Sequence, residues 1–300
     1  MFTLKIMIKF LKNNEINKEK WNQAIDLSAC PVFYARAQVL DIMCPQWAAL
    51  VLGDYLAVMP LPIKHKFGIL PYIFTPNFIQ KLGVFAPPNT PIVLEDFLSA
   101  IPSYFLRIEL RIHNMYTPSK ATLERIRERT SFILELKKPI QEIESGFNAD
   151  AKKNLRKLNE ITIRIEENYS IDKIMDLYVL EYGTLNGIKK QEYENFTKVL
   201  ESLKKNGKVW TVGLFEKNTL LGAGAFVVDY DTVHYVLGAP TKEGKKIGST
   251  HKLIYVALEK FCLNQKVFDF EGSDINPVAF FYKKFGSHPT KYLSYKRNKV

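Results

Sequence analysis

The run "NPVAFFYKKFG", residues 276–286, sets Asn276, Ala279 and Tyr282 at three-residue steps and follows them with Lys283 and Lys284. At 3.6 residues per turn such positions drift only slowly round a helix. A phenol held there can protonate the anionic leaving group released when a thioester or ester is attacked. Lys283 and Lys284 have the charge to neutralise a tetrahedral oxyanion or a phosphate. Asn276 precedes Pro277, a good first helical residue, and so reads as a helix cap. A merely packed terminal helix explains most of these letters equally well. Tyr282 is the residue it explains least, because Phe280 and Phe281 already supply apolar mass.

"FDFEGSD" (268–274) is the second candidate. Phe268 and Phe270 alternate with Asp269 and Glu271, so the carboxylates share the opposite face of a strand. Ligands of open α/β sheets sit beyond the carboxyl ends of strands, which is where Glu271, Gly272 and Ser273 fall. Glu271 is placed to take a proton from an amine, or to cap the next turn. Asp269 reads as a structural partner inside the sheet. In "AKKNLRKLNE", Lys153, Arg156 and Lys157 lie at i, i+3 and i+4 and share one helix face. That face suits the phosphates of a nucleotide-linked substrate or tRNA, or is simply solvated. "LGDYLAVMPLPIKHKFG" and "TPNFIQKLGVF" are apolar enough to line an acceptor groove, although core packing accounts for them at least as well.

These residues must be positioned by a chain of 300 residues, a length that suggests two domains. A hydrophobic content of 47% with 24% charged residues describes an ordinary globular protein. No apolar run reaches the roughly eighteen residues of a spanning helix. Lys5 and Lys9 interrupt the apolar opening, so no signal peptide is expected. The expected location is the cytoplasm, including the inner membrane face. The net charge of +11 is divided almost evenly between the two halves and favours anionic partners. Cys30, Cys44 and Cys262 form no ligand spacing, and five histidines are scattered, so neither a metal nor a His-based triad is expected.

Along the chain, a helix is expected from about Lys18 and another near Tyr34 to Met43. A hairpin turns at Gly53-Asp54. "IVLEDFLSAI" is a short helix, "YFLRIELRI" a strand, "TLERIRERT" a helix or loop, and "SFILEL" a strand. Pro139 opens one helix continued by "PIQEIESGFNADAKKNLRKLNE". The second half then reads strand "ITIRIEE", two amphipathic helices, and strands "KVWTVGLFE", "LLGAGAFVVD" and "TVHYVLGAP". Helix "GSTHKLIYVALEKFCL", strand "KVFDFEG", the 276–286 helix and strand "TKYLSYKR" complete it. This order predicts an α/β fold with mixed sheets. The first half looks like a looser version of the second.

The second-half order, with Asn276, Ala279, Tyr282, Lys284 and Gly286, resembles the GNAT acyltransferases. Together with "DFEGS" and the basic helix, the chain resembles the FemAB-like branch, two GNAT domains in tandem. The resemblance implies domains at 1–140 and 141–300, the second better defined, and transfer of an acyl or aminoacyl group to an amine, often of an envelope or peptidoglycan precursor. It implies Tyr282 as general acid, with Glu271 and Lys283 beside it. It implies donor phosphates at Lys245, Lys246, Gly248, Ser249 and Thr250, with Asn276 nearby, and substrate contacts at Lys153, Arg156 and Lys157. The donor is acetyl-CoA or another acyl-CoA, or else aminoacyl-tRNA, and tRNA is then a partner. The family loop has a small residue where this chain has Thr250, whose hydroxyl is placed to cap the following helix. Two other readings stay open: an aminoacyl-tRNA-dependent peptidoglycan ligase, and a non-catalytic binder of an anionic ligand.

Overall fold

Local signals start most elements where the sequence places them. The Asn17 side chain accepts the Lys20 amide and opens a helix, while Asn148 and Ser170 do the same for Ala151 and Lys173. The computed structural model describes residues 7–272 and 274–298. Ser273 and the first six residues of the basic opening lie outside the described residues.

In chain order the elements are β1 (Ile8–Lys12), α1 (Lys18–Asp26), α2 (Ala37–Met43), β2 (Ala48–Leu52), β3 (Ala57–Leu61), β4 (Ile63–Lys66), β5 (Leu70–Phe74), α3 (Leu94–Ala100), β6 (Arg107–His113), α4 (Lys120–Leu123) and β7 (Ile126–Glu135). There follow α5 (Ile140–Ser145), α6 (Ala149–Asn159), β8 (Ile163–Glu167), α7 (Ile171–Asn186), α8 (Lys190–Lys205), β9 (Val209–Glu216), β10 (Thr219–Asp229), β11 (Thr232–Pro240), α9 (Lys242–Ile247), α10 (Ser249–Phe261), β12 (Val267–Asp269), α11 (Asn276–Lys283) and β13 (His288–Asn298).

The chain forms two compact units, residues 7–129 with 291–298, and residues 130–290. The division falls at Arg129/Thr130, and the last strand belongs largely to the first unit. In that unit β1, β2 and β3 make an antiparallel sheet. β4, β5, β6 and β13 pair in that order, with only β5 and β6 parallel. Ile108, Leu110 and Ile112 of β6 enter the core beside Ile73 and Phe97. The alternate residues Arg107, Glu109 and Arg111 face the other way.

The second unit runs β7-β12-β11-β10-β9-β8, with β11 and β12 parallel and its other pairs antiparallel. β10 is buried along nearly its whole length, as a strand covered on both faces must be. α7 packs on β10 and β11, and α10 on β9, β10 and β11. Trp210, Phe226, Leu253, Ile254, Phe268 and Phe270 fill this core.

Three expectations change. "TLERIRERT" is largely strand: β7 begins at Ile126, where tertiary pairing overrides a weak local preference. The single helix from Pro139 breaks at Gly146 into α5 and α6. A Cβ at Gly286, where φ is +73°, would meet the Gly146 carbonyl oxygen at 2.9 Å, so the break lets two backbone segments approach closely. Asn276 does not cap α11. Ile275 holds that position without a side-chain bond, and Asn276 is the first helical residue.

His113 carries a pH prediction. It is buried, with Nε2 2.8 Å from the Val84 carbonyl oxygen, and burial lowers its pKa to about 4. The depressed native value means that the unfolded chain binds the proton first. The stability is complete above pH 6.5 and is lost as the pH falls from 6.5 toward 4, by roughly 3 kcal/mol. Urea midpoints across that range should show this slope, and His113→Gln should flatten it.

Candidate active site

The site is built where β11 and β12 part. Their parallel register sets Thr232, Val233 and His234 opposite Val267, Phe268 and Asp269. β12 stops there, while β11 continues to Pro240 with β10 as its strand partner. A bulge on β11 at Val236, opposite Ala225 and Phe226, twists the strand just past His234. Backbone along that side of β11 is left without a strand neighbour.

Asp269, Glu271 and His234 meet at this parting. Asp269 is buried, and its Oδ1 accepts from the Ser131 hydroxyl at 2.9 Å and from the Glu271 amide at 2.8 Å. Glu271 has φ +61°, an unusual backbone state for a glutamate, and Gly272 follows at +75°. This turn brings Glu271 Oε1 to 2.5 Å from Nδ1 of His234. A carboxylate at that distance favours the tautomer that carries its proton on Nδ1.

His234, which the sequence did not single out, therefore stands beside Glu271. His234 and Glu271 are far apart in sequence, and the parallel pairing of β11 with β12 joins them. Among the described residues, the ligand atoms of His234, Asp269 and Glu271 also lie within 4.8 Å of one another. Hydrogen bonds among Ser131, the Glu271 amide, the carboxylates and His234 account for that grouping.

Tyr282 comes to the same place from α11. The residue is half-buried, but its ring lies 4.7 Å from Phe270, 6.3 Å from Phe132 and 6.5 Å from Tyr235. Burial chiefly, then Tyr178, Tyr182, Glu271 and Asp269, push its phenol well above the ordinary 10. Such a phenol stays protonated at neutral pH. Tyr178 and Tyr182 belong to α7, their rings 5.1 Å apart, and Tyr182 is raised to about 12 by burial, Glu181 and Tyr178. Tyr235 is also raised well above the ordinary 10, by burial and then Tyr282. These tyrosines were not singled out in sequence, because helical spacing on α7 gives them no mark apart from core residues.

The other candidates separate into groups. Lys283 is exposed, its ammonium 5.7 Å from the Phe132 ring. Lys284 pairs with Asp150 at 2.5 Å, and its carbonyl accepts the Asn148 amide at 2.9 Å, so it fastens α11 to the start of α6. Asn276 is exposed, with no hydrogen bond to the 245–250 loop among the described residues. Lys153, Arg156 and Lys157 are exposed on α6 and share one face of it.

In the loop at 245–250, Lys245 is committed to Glu181 in an ion pair. Ser249 is buried and gives its hydroxyl to the Leu221 carbonyl at 2.9 Å. Thr250 does not cap the helix. Gly248, at φ +76°, holds that position, and the Thr241 hydroxyl instead caps α9 by accepting the Gly244 amide at 3.1 Å. Ser249 and Thr250 are the first two residues of α10, whose amides have no partner within the helix. Lys246 is exposed alongside them.

No family model matches the sequence, and no curated protein is significantly similar to it. Solved structures match its fold. FemX is similar over 95% of this chain and 96% of its own, with a TM-score of 0.68 and 11% identity. A tandem GNAT protein from the clavulanic acid biosynthesis pathway matches over 97% and 98%, with a TM-score of 0.53 and 12% identity. A GNAT-family acetyltransferase from Colwellia psychrerythraea matches over 98% and 100%, with a TM-score of 0.51 and 10% identity. The chain has the FemAB-like GNAT fold, a mixed α/β architecture, as its second-half order implied.

Proposed function

We propose that the protein transfers an acyl or aminoacyl group to an amine, with its chemistry at the parting of β11 and β12. The observation that carries this reading is the enclosed Tyr282 phenol within electrostatic reach of the Glu271–His234 pair. The amine nitrogen attacks the donor carbonyl, a C–N bond forms, and the C–S or C–O bond to the donor breaks. The His234–Glu271 pair accepts the amine proton. Tyr282 gives its proton to the leaving thiolate or alkoxide and regains one through solvent. The unpartnered backbone of β11 supplies donors for the carbonyl oxygen.

The donor divides two ways. Bound coenzyme A would supply a thioester, its phosphates held by the amides of Ser249 and Thr250 with Lys246 beside them. Aminoacyl-tRNA would supply an ester, with Lys153, Arg156 and Lys157 along its phosphates. The acceptor is a small-molecule or envelope-precursor amine. Labelled acetyl-CoA and charged tRNA, each incubated with a panel of amines, should give an amide product from one donor. Acetyl-CoA should also raise the melting temperature if it is the donor. Replacing Lys153, Arg156 and Lys157 together with Gln should then leave that shift intact, whereas it should weaken tRNA binding and flatten its salt dependence. Absence of amide from either donor, with neither bound at millimolar concentration, would remove the transferase reading.

A further inference from the structure

β4 and β5 pair from Ile63 with Ile73 to Lys66 with Leu70, which leaves Phe67, Gly68 and Ile69 as the hairpin tip. The turn closes with the Ile69 amide on the Lys66 carbonyl at 3.3 Å, and both central residues are left-handed, Phe67 at φ +54° and Gly68 at +77°. Turns of this kind favour Asn-Gly, because a bulky side chain strains that backbone. Here the strained position holds a phenylalanine that is 82% exposed, next to Ile69 at 76% and Leu70 at 48%. Single exposed apolar residues need no explanation, but a contiguous apolar tip does.

The hairpin also forms one wall of a cavity of about 810 Å³ within the first unit, through Lys66 and Leu70. Lys66, Arg107, Arg111, Arg129 and Lys296 line it against a single carboxylate, Glu109. Arg107 at 2.9 Å and Lys296 at 3.4 Å both answer that carboxylate, so cationic side chains outnumber acidic ones in the cavity's lining. Its rim carries two more exposed apolar side chains, Tyr104 at 53% and Leu106 at 50%. A purely anionic soluble ligand would account for the cations and not for the apolar tip. A protein groove would account for the tip and not for the charge.

We propose that the β4–β5 tip and the adjoining basic cavity form a docking surface for an anionic phospholipid bilayer. The tip enters the boundary between headgroups and acyl chains, and the cavity's cations hold lipid phosphates. This surface goes beyond the transfer reading and does not rest on it. Binding is measured on the first unit's own residues in the full chain, without donor or acceptor.

The test is co-sedimentation with vesicles of phosphatidylcholine alone and with about 30 mol % phosphatidylglycerol. The wild-type protein should bind the anionic vesicles at least about ten-fold better, and lose most of that advantage at high salt. Phe67→Asn with Ile69→Ser should lower vesicle binding about ten-fold with an unchanged or higher melting temperature, since asparagine suits the left-handed turn. Lys66→Gln with Lys296→Gln should weaken binding and flatten its salt dependence. Equal binding to both vesicle types, or full binding by the Phe67→Asn, Ile69→Ser variant, would overturn the proposal. So would saturable binding of a nucleoside diphosphate or short RNA by a protein that ignores vesicles.

Discussion

Tyr282→Phe should lower turnover by about 10²- to 10⁴-fold while leaving donor affinity almost unchanged. The substitution keeps the ring that packs on Phe270, Phe132 and Tyr235 and removes only the proton. The effect should therefore fall on kcat, because a general acid acts after the donor is bound. A purely structural tyrosine predicts the opposite split: unchanged kcat and a small loss of stability, about 1 kcal/mol for one hydrogen bond. Steady-state kinetics with a working donor and acceptor, beside a thermal melt, separates the two. Wild-type kcat in the Phe variant would remove Tyr282 from the chemistry.

Glu271→Gln is the second large effect, an expected loss of about 10²- to 10³-fold in kcat/KM. Glutamine retains the side-chain length and can still bond to His234 Nδ1, so the φ +61° turn and the Asp269 bond to its amide should persist. What disappears is the negative charge that stabilises a protonated imidazole. If His234 and Glu271 act as one proton acceptor, His234→Gln should cost a similar factor, and the double variant no more than the worse single one. Losses that multiply would mean two independent roles. A Glu271→Gln enzyme with unimpaired kcat/KM would restrict Glu271 to capping the turn.

The sequence alone determined the elements with strong local causes. Lys18–Asp26, Leu94–Ala100 and the three strands from Val209 to Pro240 follow from caps, periodicity and turn residues, and they appear where those signals put them. Element order in the second half was sufficient to point to the fold that the solved structures share. Tyr282, Glu271 and Asp269 drew notice as candidates because each sits in a short patterned run at a strand or helix end. The break at Gly146 was not, because its reason is the approach of Gly286 from far along the chain. The caps of α10 and α11 were also misread by one or two residues, since Thr250 and Asn276 have capping side chains that the backbone does not use.

His234 marks the larger difference. Nothing within ten residues of it signals chemistry, and it becomes a partner of Glu271 only because β11 and β12 pair in parallel, a contact between residues 234 and 271 that no local pattern encodes. The tyrosines of α7 and β11 are of the same kind: periodicity makes each a core residue, and packing turns them into the low-dielectric surroundings that keep the Tyr282 phenol protonated. Local sequence fixes which backbone state each segment prefers. Which side chains share a volume of a few ångströms depends on strand pairing, and that pairing is settled by the whole core.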